Sequence, residues 1–394
     1  MKFNWTTKKL SEIAYINPRE SIGKGVVAKK VPMDKLQPFC RDVPEFVLEE
    51  YKGGTKFRNN DTIMARITPC LENGKIAKVS ILNNDEIGFG STEYIVFRAI
   101  DGVSDADFLY YLICSPLVRN PAIKSMVGSS GRQRVQTDVV ANLDIELPPL
   151  EEQRKIGELL KTFDDKIKLN NEINNNLLEQ VLAIYRHRFV DTTNELRQTC
   201  RADEYFDISI GKTPPRKEPQ WFSTNPKDVT WVSISDMGTC GLYISESSEQ
   251  LTREAVVRHN VKIVPDNTVL LSFKLTVGRI AITDGEMTTN EAIAHFKTDK
   301  KEINEYLYCY LKCFNYQTMG STSSIATAVN SKIIKGMPFI VPTDEEITEF
   351  HSLVAPMFAK IKANQTEISN LTALRDTLLP KLMSGELDVS DIDL

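Results

Sequence analysis

The 394-residue sequence has no apolar run near the roughly 20 residues that a membrane-spanning helix needs. Its N-terminal segment, MKFNWTTKKLSEIAY, lacks the apolar stretch of a secretory signal peptide. The seven cysteines form no C-x-x-C pair, and the four histidines lack the spacing of a zinc site. We therefore expect a cytoplasmic protein with free thiols, no bound metal and no membrane partner.

Sequence motifs of common active sites are missing as well. There is no G-x-G-x-x-G dinucleotide-binding motif, no G-x-S-x-G nucleophile elbow and no run typical of amino-methyltransferases. Gly211-Lys212-Thr213 resembles the end of a phosphate-binding loop, but the first glycine of such a loop is absent. Pro214 and Pro215 also prevent a helix from following directly. We therefore expect no catalytic residue and no cofactor on this chain.

The sequence contains one unit twice. The segment NDTIMARI (60–67) resembles DNTVLLSF (266–273), and the ends of the two units match as VQTDVVANLDIELPPLEE (135–152) against VNSKIIKGMPFIVPTDEE (329–346). The offset between these ends is 194 residues. Similarity at a fixed offset over nearly the whole chain predicts a pseudo-two-fold molecule built from two similar units.

Each unit is predicted to have a globular part and a helical part. Short β-rich runs between Gly, Asn and Asp turns, with one helix around 107–126 or 303–318, predict an α+β domain. The segments that follow repeat apolar residues every three or four positions, which predicts long helices, and Pro380 is expected to end the second. The fold class is therefore α+β, with two globular α/β domains separated by two long antiparallel coiled-coil helices. The predicted boundaries are 1–148 for the first globular domain, 149–190 for the first helical spacer, 191–342 for the second globular domain, and 343–394 for the second spacer with the C-terminal tail.

Both predicted helices carry a heptad seam, which is typical of a coiled coil. Asn170 and Asn364 interrupt the seams at equivalent positions, where a buried Asn fixes register and partner choice. About 36 to 40 residues make a rod of roughly 55–60 Å, so two antiparallel helices would act as a ruler between the globular domains. The alternative is that each helix packs on its own domain. The seam residues are Ile156, Leu160, Phe163, Ile167, Asn170, Asn174, Leu177, Met357, Ile361, Asn364, Ile368 and Leu371.

Basic and polar residues lie in loops at matching places of the two units. Arg and Gln can pair bidentately with guanine and adenine edges, while Lys, Ser and Thr suit phosphates. Ordinary surface loops have a similar composition, so it is the repeated placement that favours a nucleic-acid contact. Ser321 to Ser324 belong to the same set of loops. The candidate DNA-binding residues are Arg66, Lys75, Arg132, Gln133, Arg134, Gln136, Lys212, Lys274, Arg279, Asn330 and Lys332.

The chain resembles the specificity subunit of a type I restriction-modification system. The resemblance covers the whole chain and rests on four segments, MARITPCLENGKIA (64–77), LPPLEEQRKI (147–156), GKTPPR with WVSISD (211–236) and LLPKLMSGEL (378–387). The second spacer departs from the pattern, because Ile347 stands where Gln153 does in the first.

The resemblance implies two target-recognition domains that each read one half of a bipartite, asymmetric DNA site, with the helices setting the gap. It implies a non-catalytic adaptor for two adenine methyltransferase subunits and, in the full complex, two ATP-dependent restriction and translocase subunits. S-adenosylmethionine, ATP and Mg²⁺ would then belong to those partners. The alternatives from other classes are a two-headed protein-binding scaffold with a coiled-coil spacer, and an enzyme with an unrecognised site.

The net charge of −5 ordinarily argues against a nucleic-acid partner. However, residues 343–394 carry 4 basic and 10 acidic residues, so the rest of the chain is close to neutral. Near-neutral domains suit a subunit that relies on its partners for much of the electrostatic grip on DNA.

Overall fold

The structure, a computed structural model, describes residues 4–129, 131–192, 194–195, 197–319 and 329–389. The chain divides into two compact units, one formed by Met1–Lys168 with Ile368–Leu394 and the other by Leu169–Glu367. We call them unit 1 and unit 2. Among the described helices, none is both long and apolar enough to cross a membrane.

Unit 1 contains ten strands and four short helices among its described residues. The strands are β1 (Thr6–Lys9), β2 (Ala14–Ile16), β3 (Val27–Val31), β4 (Val47–Glu50), β5 (Thr55–Phe57), β6 (Thr62–Ala65), β7 (Ile76–Lys78), β8 (Gly88–Gly90), β9 (Tyr94–Ala99) and β10 (Asp144–Leu147). The helices are α1 (Leu10–Ile13), α2 (Ala106–Cys114), α3 (Pro116–Lys124) and α4 (Thr137–Ala141), with a 3₁₀ turn at Met33–Lys35.

The central sheet of unit 1 has the order β2-β9-β6-β7, and all neighbouring strands are antiparallel. Successive side chains of a strand point to opposite faces. Met64 and Ile95 accordingly pack into one core with α2, whereas Ile63 packs into a second core with Val31 and Phe57 of a sheet ordered β4-β3-β8-β5. Burial on both faces explains why these strands read as continuous apolar runs.

The first long helix, α5 (Leu150–Tyr185), belongs to unit 1 as far as Lys168 and to unit 2 from Leu169. A π-helical turn at Arg186–Val190 follows it.

Unit 2 repeats the architecture of unit 1. Its strands are β11 (Gln198–Arg201), β12 (Asp207–Ile210), β13 (Phe222–Ser223), β14 (Val229–Val232), β15 (Tyr243–Ile244), β16 (Gln250–Leu251), β17 (Val269–Ser272), β18 (Ile280–Thr283), β19 (Thr288–Thr289), β20 (Ile293–Lys297) and β21 (Pro338–Val341). Its short helices are α6 (Ala202–Tyr205), α7 (Asp236–Thr239), α8 (Arg253–Arg258), α9 (Asn304–Cys313) and α10 (Ser331–Lys335), with 3₁₀ turns at Pro219–Trp221, Lys301–Ile303 and Tyr316–Met319.

The strand orders confirm the internal repeat that the sequence predicts. The central sheet of unit 2 is ordered β12-β20-β17-β18-β15, which reproduces the order of unit 1 and adds one edge strand. The terminal pair β1 with β10 has its counterpart in β11 with β21, both antiparallel. Leu271 and Phe296 pack into one core with α9, and Leu270 packs on the other face with Val232 of β14. Each unit is therefore an α+β domain with its own two-sided core.

The second long helix, α11 (Asp344–Met383), belongs to unit 2 as far as Glu367 and to unit 1 from Ile368. The prediction that Pro380 ends this helix is wrong, because the helix continues to Met383. Proline removes one backbone hydrogen bond, but Leu382 and Met383 beyond it are about 1% exposed in the core of unit 1, and their burial offsets that loss.

The single helix predicted around 107–126 is in fact two helices. Ser115 ends α2, and Pro116 takes the first position of α3, where a missing backbone N–H costs nothing.

Candidate nucleic-acid interface

In unit 1, four of the predicted DNA-binding residues lie together at one end of the central sheet. The described residues on either side of position 130 pair as a small hairpin, in which Val127 and Arg134 exchange backbone hydrogen bonds of 2.9 and 3.1 Å. This hairpin packs on the loop after β6, because Thr68 N donates to the Gln133 carbonyl at 3.0 Å and Val135 N donates to the Arg66 carbonyl at 2.9 Å.

We call residues 66–75 and 127–136, with Glu93, the first loop face. It brings together Arg66, Arg132, Gln133 and Arg134, of which Arg132 and Arg134 are exposed. Ser130 of this segment lies outside the described residues.

The charges of the first loop face are organised around Glu93. Arg134 donates to its carboxylate from Nε at 3.0 Å and from Nη2 at 2.6 Å. These bonds lower the pKa of Glu93, although partial burial raises it, and the nearby charge of Arg66 lowers it further. The Nε of Arg66 is buried with no partner among the described residues, while its Nη2 lies 3.5 Å from the Val135 carbonyl. The face therefore presents Arg134 in a fixed orientation, beside an Arg66 guanidinium that has a buried Nε without a partner among the described residues.

Lys75 and Arg279 occupy equivalent positions directly before β7 and β18, and both side chains form hydrogen bonds inside the fold. The Nζ of Lys75 donates to the Met33 carbonyl at 2.8 Å, and the Nη1 of Arg279 donates to the Ile234 carbonyl at 2.5 Å. Both side chains are half-buried. The structure gives these residues a role in holding a neighbouring loop, and their contact with DNA stays a prediction.

In unit 2, Lys274 lies in the loop between β17 and β18, which corresponds to the loop between β6 and β7, whereas Lys212 follows β12, the counterpart of β2. Both lysines are exposed. The counterpart of residues 127–136 lies mostly outside the described residues. The Lys212 backbone N–H donates to Thr289 at 2.9 Å, and its Nζ donates to the His259 carbonyl at 2.6 Å. Lys274 lies near the start of the loop between β17 and β18, and the side chain of its neighbour Leu275 is 99% exposed. We call residues 211–216 and 274–279, with Glu291, the second loop face.

Gln136 and Asn330 both stand directly before a short helix, α4 and α10 respectively. Asn330 caps its helix, since its side chain accepts a 3.0 Å hydrogen bond from Ile333 N, whereas Gln136 donates from Nε2 to the Arg134 carbonyl at 3.4 Å. Lys332 is exposed. Ser321 to Ser324 lie outside the described residues, so the structure does not place them.

One residue of the second loop face was not among the predicted binding residues. The guanidinium of Arg216 lies 4.1 Å from the Phe222 ring centroid and 4.6 Å from that of Trp231. It also donates to both carboxylate oxygens of Glu249, at 3.0 and 2.8 Å. The segment GKTPPR in the sequence was a signal for this residue, but its partner lies 33 positions away and could not be paired with it from sequence.

The two long helices contact each other within each unit. In unit 2, Asn170 Nδ2 donates to Glu367 at 2.9 Å, and Asn364 Nδ2 donates to Asn174 at 2.8 Å. The partner number falls as the residue number rises, so the helices run antiparallel. The polar seam residues are thus paired with each other and with a glutamate.

In unit 1, the helices are joined by a buried polar cluster. The Asp164 carboxylate accepts from Arg375 at 2.5 Å and from the Tyr111 hydroxyl at 2.6 Å. The side chains of Asp164 and Arg375 are only 8% and 11% exposed. This cluster ties the globular part of unit 1, through α2, to both long helices.

The other seam residues are buried or half-buried. Ile156, Leu160 and Ile361 are at most 2% exposed, and Phe163, Ile167, Leu177, Ile368 and Leu371 are half-buried. Met357 is also half-buried, whereas its neighbour Phe358 is 1% exposed. Ile156 and Leu160 belong to the core that contains α2, so each alternative describes part of a helix: its start packs on a globular domain, and its middle packs on the other helix.

Equivalent lysines fasten the long helices to the globular parts. Lys168 of α5 pairs with Asp42 at 2.9 Å, and Lys362 of α11, 194 residues later, pairs with Asp284 at 2.7 Å. The entry to α5 is held by Gln153, which is 1% exposed and donates to the Pro148 carbonyl at 2.9 Å. Gln153 therefore has an internal role in unit 1.

Residues 3–179 and 195–373 match the family of the type I restriction modification DNA specificity domain. The chain belongs to this family. The two matches include both loop faces and most of both long helices. The resemblance expected from the sequence is thereby confirmed, and the protein is a DNA specificity subunit that binds DNA and associates with a restriction-modification complex, without being an enzyme itself.

Individual relatives agree with this family. The specificity subunit of the type I restriction enzyme HindI from Haemophilus influenzae is 23% identical over 374 residues, covering 75% of this chain and 81% of that protein. The MjaIX specificity subunit from Methanocaldococcus jannaschii is 27% identical over 321 residues, covering 74% and 71%. The type-I restriction-modification S subunit from M. genitalium, a solved structure, is 15% identical with a TM-score of 0.55 and covers 96% of each chain, which shows a shared fold.

Proposed function

We propose that each globular domain of this specificity subunit reads one half of a bipartite, asymmetric DNA site. The observation that carries the proposal is that the same strand order occurs twice and that each copy has its own loop face, between β6 and β7 in unit 1 and between β17 and β18 in unit 2. The loops differ in sequence while the sheets match, so the two half-sites differ in sequence. The proposed domain limits remain 1–148 and 191–342.

The long helices, in the same proposal, set the gap between the half-sites and dock the methyltransferase subunits. Two adenine-specific methyltransferase subunits bind the spacers, and two restriction and translocase subunits join in the full complex. S-adenosylmethionine, ATP and Mg²⁺ are bound by those partners, and this chain has no cofactor of its own. The complex acts on DNA in the cytoplasm.

The test is to map methylated bases across a genome in cells that contain the methyltransferase subunit, with and without this chain. The expected result is one methylated motif that has two specific halves and a fixed unspecific gap, and that disappears without the chain. A single uninterrupted motif, or methylation indifferent to sequence, would contradict the proposal.

The alternative hypothesis of a protein-binding scaffold is set aside, because the matching family is defined by DNA specificity. A scaffold would also leave the methylated motif unchanged when the loop faces are altered.

A further inference from the structure

Arg216 is held in place more firmly than an exposed arginine usually is. Its side chain is 52% exposed, yet its guanidinium lies against the rings of Phe222 and Trp231 and forms a two-point ion pair with Glu249. Trp231 is itself fixed, since it is 2% exposed and its Nε1 donates to the Lys212 carbonyl at 3.2 Å. The ring contacts and the bidentate pair together order a side chain that otherwise keeps much rotational freedom.

The ion pair leaves one recognition edge of the guanidinium without a hydrogen-bond partner among the residues that the structure describes. A guanidinium has five N–H donors in a rigid fork. Glu249 accepts from Nη1 and Nη2, which occupies the end of the fork. The Nε–H and the second Nη2 hydrogen form a parallel pair on the adjacent edge. This is the spacing that binds the O6 and N7 atoms of guanine in the major groove.

Arg216 also lies within the second loop face rather than apart from it. Glu291 lies two residues before β20 and accepts a hydrogen bond from Thr213. Its pKa is lowered overall: partial burial raises it, but the bond from Thr213 and the nearby charges of Lys274 and Arg216 lower it. The basic groups around Arg216 are suited to the phosphates on either side of a base pair.

The first loop face contains an arginine that is held by a glutamate in a similar way. Arg134 uses its Nε and Nη2 on Glu93, so that its Nη1–Nη2 end is free instead. Each unit therefore presents an exposed arginine that is braced by a glutamate on one edge and open on another.

We propose that Arg216, braced by Glu249 and by the Phe222 and Trp231 rings, reads a guanine in the DNA half-site of unit 2. The proposal rests on the proposed function, in which unit 2 reads one half-site. Glu249 acts as a positioning residue, because its carboxylate acts through the arginine.

The test uses the full chain assembled with its methyltransferase subunits and a library of random DNA sequences, from which bound DNA is sequenced. Wild-type protein defines the two half-sites, and Arg216→Lys is then compared with it. Lysine keeps the charge but loses the two-point fork. We expect the preference for guanine at one position of one half-site to fall by about five- to 150-fold, with the other half-site and the gap unchanged.

A modified base distinguishes base recognition from a structural role. Replacing that guanine with 7-deazaguanine removes the N7 acceptor, so wild-type binding should weaken while Arg216→Met binding should not weaken further. Glu249→Gln should reduce the same preference in part and leave the others alone.

Arg201 provides the matched control, since it is also 52% exposed and also forms a two-point pair, with Asp203. Arg201→Lys should leave every base preference unchanged. If Arg216→Lys relaxes no position, or relaxes all positions equally, the proposal for Arg216 is wrong. If wild-type protein selects no bipartite site at all, it is the proposed function that fails.

Discussion

The buried cluster of Asp164, Arg375 and Tyr111 joins the two long helices to the globular part of unit 1, so we expect the stability of unit 1 to depend on Asp164. Replacing Asp164 with alanine removes the carboxylate that both the Arg375 guanidinium and the Tyr111 hydroxyl bind, so that Arg375 keeps only its pair with the exposed Asp376 and the hydroxyl loses its acceptor. Both groups are nearly inaccessible to water, so water does not readily replace the lost carboxylate as a hydrogen-bond partner. Breaking a buried ion pair by removing one partner costs about 3–5 kcal/mol. We therefore expect the free energy of unfolding of unit 1 to fall by about this amount.

The assay has to separate the units, since a chain with two compact units has no single unfolding transition. Hydrogen exchange followed by mass spectrometry reports on peptides from each unit. Where exchange proceeds through opening of unit 1, a loss of about 3–5 kcal/mol lowers protection by roughly two to nearly four orders of magnitude. Peptides from β12, β17 and β20 should keep their wild-type protection.

Two further variants serve as controls for Asp164→Ala. Asp165→Ala removes the adjacent carboxylate, whose side chain is 50% exposed and pairs with Arg41, and should cost no more than about 1 kcal/mol. The triple variant Asp164→Leu, Arg375→Met, Tyr111→Phe replaces the cluster with apolar groups and should regain most of the lost stability. A triple variant no more protected than Asp164→Ala, or an equal loss in unit 2, would refute the argument.

Three other predictions follow from the same structure. His295 is buried, with its two ring nitrogens bonded to Ser209 and Thr289, and burial lowers its pKa from 6.5 to about 3; its neutral form therefore contributes stability that is complete above about pH 6.5 and is lost as the pH falls, by about 2 kcal/mol at pH 5. Urea unfolding of unit 2 measured from pH 7 to 5 checks this, and a slope that survives in His295→Gln would contradict it. Inserting four residues, about one helical turn, into both long helices at the Asn170 and Glu367 pair should lengthen the gap between half-sites without changing their bases, as mapped by methylation; changed bases would mean that the helices themselves read sequence. Arg132→Ala or Arg134→Ala should weaken recognition of one half-site alone, and equal losses at both half-sites in a binding assay would show that these arginines contact phosphates or support the fold.

The repeat and the long helices could be predicted because their signals are periodic. An offset of 194 residues relates whole segments, and heptads repeat along one helix face, so neither depends on knowing distant contacts. The same is true of the central strands, whose burial on both faces produces apolar runs.

Other features depended on tertiary contacts that no local pattern contains. Pro380 was expected to end α11, but the burial of Leu382 and Met383 in unit 1 outweighs the lost hydrogen bond. Lys75 and Arg279 look like exposed basic residues in the sequence, and only the fold shows the carbonyls that they bind.

The two units are completed at different times during synthesis, because unit 1 contains residues from both ends of the chain. Leu382, Met383 and Val389 complete the core of unit 1, which also contains Leu10 and Ile13 from the other end of the chain. Domains generally fold as units while the chain emerges at about 5–20 residues per second. Unit 2 has all of its residues once Glu367 has been made, whereas unit 1, although begun first, waits for the last turn of α11 and for Val389 beyond it. A chain truncated after Glu367 and released from the ribosome should therefore contain a folded second unit and an incomplete first one.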